Sequence, residues 1–165
     1  PELFQKFHVT NATQHLKNST LLQLATCLSI HKDKKLAFDA RWPITTLLAR
    51  DHHMIVSHQW GNALNYAYLD IVYFGFPLVH NAHLCQDIGY YYENFEVKDG
   101  GELIVKAAKE RKLDTDYTKR HHEILKRYTI DNREMINQYG FLIKNVYEKN
   151  EIDNTSYDWK SNLLK

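Results

Sequence analysis

The sequence predicts an α/β fold, and three observations carry that expectation. Short apolar runs rich in β-formers recur at Phe7–Thr10, Leu36–Asp39, Met54–Ser57 and Phe76–Val79. Between them, apolar residues fall at helical spacing, as in Leu16, Leu21, Leu24, Ala25 and Leu28, or Leu64, Tyr68, Leu69 and Val72. The connections are short, and strands alternating with helices across short links form a parallel sheet flanked by helices. With an edge strand at Phe95-Glu96-Val97 the strands number five, and in a chain of 165 residues they make a Rossmann-like layer sandwich with enough length to bury a core.

Each element has its own signal. The first strand ends in a polar turn at Asn11, and a helix is expected from about His15 to Ile30. A charged break, His31 to Lys35, precedes the second strand. Pro43 lies near the first turn of the next helix, where its missing N–H is harmless, and that helix runs to about Arg50. The helix beginning near Leu64 ends at Gly75, a residue suited to the left-handed C-terminal position. A short helix from His83 to about Ile88 is closed by Gly89. Phe95-Glu96-Val97 reads as an edge strand, and Asp99-Gly100-Gly101 turns the chain into a helix from Glu102 to Arg111. From Asp116 to about Lys149 the pattern is helical and charged, two helices meeting near Asp131. The expected division is a Rossmann-like domain over 1–130 and a C-terminal helix and tail over 131–165, docking through Tyr157, Trp159, Leu163 and Leu164.

Composition narrows the function classes. With 21 basic against 20 acidic side chains there is no bulk attraction for nucleic acid or an anionic membrane. No apolar run approaches the roughly 20 residues of a membrane-spanning helix, and the opening PELFQKFHVT has no apolar h-region. Cys27 and Cys85 make neither a disulfide framework nor a zinc knuckle, so a reducing, cytoplasmic compartment is expected. Cys27, on an apolar stripe, is expected in the core. Cys85 lacks a charged activator in sequence.

In open parallel sheets, ligands bind beyond the carboxyl ends of the strands. That rule selects Asn11, Arg41, the run His58-Gln59-Trp60-Gly61-Asn62, and His80-Asn81 as one polar rim. Gly61 would let backbone approach a ligand closely. No Walker A or GxGxxG pattern is present, and acidic residues are scarce on this rim. The histidines His52, His53, His58, His80, His83, His121 and His122 show no HExxH or CxxC context, so no metal site is expected. His58 and His80, each ending a strand, are expected to donate hydrogen bonds to a ligand or to act as an acid/base pair. The run Tyr90-Tyr91-Tyr92 walls a pocket or packs beside an edge strand.

The segment VSHQWGNALNYAYLDIVYFGFPLVHNA, followed by IGYYYENFEV, resembles an uncharacterised family of bacterial and phage proteins that is similar to the GT-B glycosyltransferases. The resemblance extends from HVTN through LAFDARWP to the helix after DGG. Many retaining GT-B members carry an E-x7-E pattern ending five residues before a glycine that precedes a proline-containing strand. Here Asp70 stands five residues before Gly75, and Asn62 replaces the first glutamate. The resemblance implies a GT-B C-terminal domain, the donor-binding half of an enzyme that transfers a sugar from a nucleotide diphosphate sugar to an unidentified acceptor.

On that reading Asp70 and Asn62 grip ribose or sugar hydroxyls. Gly61 amides, with Arg41 or His58, neutralise the leaving diphosphate, and His58 is the catalytic candidate. Gln59, Asn65, His80 and Asn81 line the substrate pocket. The nucleotide-sugar would be a co-substrate, with no tightly bound cofactor. The resemblance further implies an N-terminal acceptor-binding domain in a longer parent; the acceptor, nucleic acid included, stays open. Two readings from other classes stand beside it: a non-catalytic nucleotide- or sugar-binding module of a larger assembly, and a histidine-based metal hydrolase.

Overall fold

In the computed structural model, which describes residues 3–50, 54–110 and 115–148, the first apolar runs pair as expected. β1 (Phe7–Val9) lies parallel to β2 (Leu36–Phe38), with Phe7 opposite Leu36. His8 Nδ1 and Asp39 Oδ2, 2.5 Å apart, join the two strands near their carboxyl ends. β3 (Ile55–Ser57), β4 (Leu78–His80) and β5 (Tyr90–Tyr91) form a second parallel ladder in that order. The α/β class with parallel strands and flanking helices therefore holds. The five strands, however, form two hydrogen-bonded ladders among the described residues. Period-2 apolar runs identify strands but do not say which strand is whose neighbour.

β4 is the centre of the second sheet. Leu78, Val79 and His80 are all fully buried, as befits a parallel strand covered on both faces. Alternation sends Val79 to one face, where α5 (Val97–Lys109) brings Leu103, Ile104 and Ala107 against it, together with Tyr92. On the other face α4 (Ala67–Tyr73) buries Tyr68, Ile71 and Val72, at the i, i+3, i+4 spacing of one helical stripe. The Tyr68 ring meets the His80 ring at 5.0 Å.

Several boundaries differ from expectation for local reasons. The expected helix over 15–30 is two helices, α1 (Ser19–Cys27) and α2 (Ser29–Lys32), broken at the extended Leu28. Asn18 caps α1, its Oδ1 accepting the Leu21 N–H at 3.1 Å. Cys27 is exposed rather than in the core. α3 (Ile44–Arg50) follows Pro43 as expected. His83–Cys85 makes a single 3-10 turn, not a helix to Ile88. The fifth strand is Tyr90–Tyr91, not Phe95–Val97, because the chain pairs with β4 immediately after Gly89; α5 then starts at Val97.

The amino ends of β4 and β5 are closed by α6 (Thr115–Leu125). The Tyr117 hydroxyl donates to the Phe76 carbonyl at 3.3 Å, and His122 Nε2 donates to the Tyr73 carbonyl at 2.9 Å. His121, fully buried, accepts the Gly89 N–H on Nε2 at 2.8 Å and donates from Nδ1 to the Tyr117 carbonyl at 2.7 Å. Gly89 (φ 60°) is held to glycine twice over, since a Cβ would also stand 2.5 Å from the Leu78 carbonyl oxygen.

The chain divides into two compact units, residues 1–124 and 125–165. In the second, α7 (Arg133–Glu148) is capped by Asn132, whose Oδ1 accepts the N–H groups of Glu134 and Met135 at 3.0 and 3.2 Å. His52, His53 and the tail residues Tyr157, Trp159, Leu163 and Leu164 lie outside the described residues. No helix of the described residues is long and apolar enough to cross a membrane.

Candidate functional site

Three adjacent parallel strands deliver their following residues to one edge of the second sheet: β3 into His58–Asn62, β4 into Asn81, and β5 into Tyr92–Asn94. Asn81 ties the three loops together. Its Oδ1 accepts the Gln59 N–H at 2.6 Å, while Nδ2 donates to the carbonyls of Gln59 at 3.0 Å and Asn94 at 2.6 Å. Asn94 takes φ 49°, which turns the chain so that its carbonyl can reach Asn81. Both donors of the amide and its oxygen are thus spent inside the protein. The amide hydrogens of Gln59 are spent in the same way, its Nε2 donating to Ser57 Oγ and to the buried Tyr68 hydroxyl, both at 2.8 Å.

His80 has equally little left for a ligand. It is fully buried, Nδ1 accepts the Ala82 N–H at 3.1 Å, and Nε2 donates to the Ile88 carbonyl at 2.9 Å. Those two partners define a neutral tautomer. Burial lowers the His80 pKa, partly countered by the Ile88 hydrogen bond and by Asp87. The expected pairing of His80 with His58 for proton transfer is therefore corrected: His80 braces the loop after β4.

His58 is different. It is exposed, with Nδ1 2.7 Å from the Tyr92 hydroxyl. Its ring stacks on Tyr92 (centroids 5.9 Å, 17° between planes) and meets Phe95 at 5.1 Å. Phe95 in turn meets Trp60 at 4.8 Å, and Trp60 is 85% exposed. Gly61 follows with φ 64° and open space where a Cβ would stand, so glycine is favoured there by backbone conformation. A polar loop ending in solvent beside exposed aromatic rings can meet a ring-bearing, oxygen-rich ligand through stacking and hydrogen bonds.

Over residues 1–143 the sequence matches the family described as Protein of unknown function (DUF2827). The chain belongs to that family. No curated protein and no solved structure matches it.

In this DUF2827 member the remaining expected residues divide. Asn62 and Asp70 are exposed, Asp70 on α4. Asn65 is half-buried and serves α4, its Oδ1 accepting the Ala67 N–H at 3.1 Å. Arg41 is exposed after β2, on the other sheet, and no hydrogen bond or ion pair joins it to the His58 loop among the described residues. Cys85 is buried, its Sγ donating weakly to the Ala82 carbonyl at 3.5 Å. Among the described residues no group of three or more His, Cys, Asp or Glu side chains could hold a metal ion.

A cavity of about 940 Å³ opens at the opposite, amino end of β4 and β5, between α5 and α6. It is lined by charges of both signs, Lys106, Glu110, Asp116 and Arg120 among them. Ligands of parallel sheets gather at the other end, where His58 lies.

Sequence reasoning missed Tyr68, Asn94 and Phe95 at this edge and left Tyr92 without a partner. Their contacts span 9 to 37 positions of chain, and no local pattern encodes such distances. The one usable signal was the aromatic run Tyr90-Tyr91-Tyr92 directly after Gly89.

Proposed function

We propose that this chain is the donor-binding domain of a GT-B-like glycosyltransferase, which takes a sugar from a nucleotide diphosphate sugar for transfer to an acceptor on a second domain. The observation that carries the reading is the edge of the β3-β4-β5 sheet, where Asn81 locks three loops and leaves His58, Gly61 and Asn62 turned to solvent. On this reading His58 and the backbone around Gly61 meet the diphosphate. Asn62 and Asp70 take hydroxyls of the ribose or sugar. Preorganised donors facing a departing diphosphate stabilise the charge that develops there, which is the largest effect such a site can offer.

A thermal-shift and calorimetry panel with uridine, guanosine, cytidine and adenosine diphosphates and their sugars tests the reading. One nucleotide class should stabilise the fold, by about 2.7 kcal/mol at a hundredfold excess over its Kd. Asp70→Ala should weaken that binding about tenfold and leave the unfolding midpoint in place; an unchanged affinity removes Asp70 from the site. If no member of the panel binds either this chain or a two-domain parent, the donor-domain reading fails.

The enclosure of His80 favours one alternative, a non-catalytic nucleotide- or sugar-binding module, because it removes the expected proton-transfer partner of His58. Binding by the parent without release of nucleoside diphosphate in the presence of acceptors would favour that module.

A further inference from the structure

We infer that Tyr92 is a positioning residue for His58, holding the imidazole with Nδ1 as acceptor so that Nε2 carries the proton and serves as a fixed donor to a ligand oxygen. The inference rests on the reading that His58 meets the ligand, but its geometry is independent of which nucleotide binds.

The Tyr92 ring is buried, and its hydroxyl has a single hydrogen-bond partner among the described residues, His58 Nδ1 at 2.7 Å. The bare nitrogen of an imidazole is a stronger acceptor than a phenol oxygen, so the favoured arrangement of this pair has the hydroxyl as donor. The hydroxyl therefore donates, Nδ1 is bare, and in the neutral ring the proton sits on Nε2. Burial raises the Tyr92 pKa, with Tyr68 adding to the shift, and this keeps the phenol in its donating form.

Tyr92 is itself fixed from three sides. Its N–H donates to the His80 carbonyl at 3.0 Å, which extends the β4–β5 ladder. Its ring lies over Gly100, where a Cβ would come within 3.2 Å of Cε1 and Cζ. The His58 ring is stacked against it, with Phe95 meeting that ring as well. A ring flip of His58 would forfeit the Tyr92 hydrogen bond. Nε2 has no hydrogen bond among the described residues, so its N–H is the group offered outward. His58 then rests as a donor to charged oxygen and not as a base, because the nitrogen it offers is already protonated.

Two measurements test this. In the full chain with ¹⁵N-labelled histidine, at about pH 8 and above the ordinary histidine value of about 6.5, long-range ¹H–¹⁵N spectra should show His58 protonated on Nε2 and bare on Nδ1, the signals assigned through His58→Ala. A proton on Nδ1 overturns the inference.

The second is a double-mutant cycle read by calorimetry with the four nucleoside diphosphates. Tyr92→Phe should weaken binding about fivefold with His58 present and leave it unchanged in the His58→Ala background. Equal weakening in both backgrounds makes Tyr92 merely structural and overturns the positioning role. If none of the four nucleotides binds either this chain or a two-domain parent, the donor-domain reading falls while the tautomer measurement still decides the role of Tyr92.

Discussion

Asn81 spends one oxygen and both amide hydrogens on two other loops, and each partner is a main-chain group. Asn81→Ala should lower unfolding free energy by about 2–4 kcal/mol in urea titrations, since it strips partners from backbone groups near a buried side chain. Asn81→Asp should cost at least as much, because its second carboxylate oxygen would face the carbonyls of Gln59 and Asn94. Equal stability of Asn81→Asp and the native chain would show that the three loops are not held through this amide. The buried histidines give a pH signature. His80 and His121 both accept a main-chain N–H, and burial lowers the pKa of each. The unfolded chain therefore binds more protons than the folded one as pH drops below about 6.5, and stability falls with acid through that range. Urea midpoints measured from about pH 7.5 to 5 should decline, and His121→Gln should flatten the slope.

Among the elements, α5 carries a sharp internal control. Gly100 and Gly101 are adjacent, yet a Cβ at Gly100 would press on the Tyr92 ring while one at Gly101 would meet nothing within 4 Å. Gly101→Ala should stabilise the chain by about 0.5–1 kcal/mol through helix propensity. Gly100→Ala should fail to gain that amount, and should perturb the His58 ring signals through Tyr92. Matching thermal midpoints for the two variants would contradict the contact. The elements also show what was legible in the sequence. β1 to β4 and α3 to α4 stand within a few residues of expectation, because period-2 and period-3.6 patterns are local. The break at Leu28 was not legible, since Leu16 to Leu28 keeps apolar residues at helical spacing across it. Nor was the fifth strand: Phe95 and Val97 look as strand-like as Tyr90, and proximity to β4 decides between them.

Across residues 1–124 burial is uneven. Tyr68, Ile71, Leu78, Val79 and Ile88 at the second sheet are almost completely enclosed, whereas from β1 to the end of β2 only Ala12 and Ala25 are buried among the described residues. Leu22, Leu24 and Leu28 on α1 and the adjoining turn remain exposed. Opening free energy follows local burial, so native-state hydrogen exchange should be slowest at the amides of β4 and fastest at β1 and α1. Comparable protection of the two sheets would refute this ordering. The same asymmetry governed the candidate site. The carboxyl-end rule selects this edge from order alone, and His58, Gly61 and Asn62 are the residues it names that lie exposed there. It could not tell a side chain that faces out from one that holds the loops, which is why Gln59, His80 and Asn81 were expected at a ligand and are found bracing the loops.

One detail of that brace bears on how freely the chain can vary. Asn81 grips position 94 through a carbonyl, so the brace asks nothing of the side chain there beyond tolerance of φ 49°. Saturation mutagenesis should therefore accept glycine or aspartate at Asn94 and reject valine or isoleucine, while at Asn81 no other residue supplies both an acceptor and two donors at the same reach. Two asparagines thirteen positions apart would then tolerate change on opposite terms, one chosen for its backbone and the other for its amide.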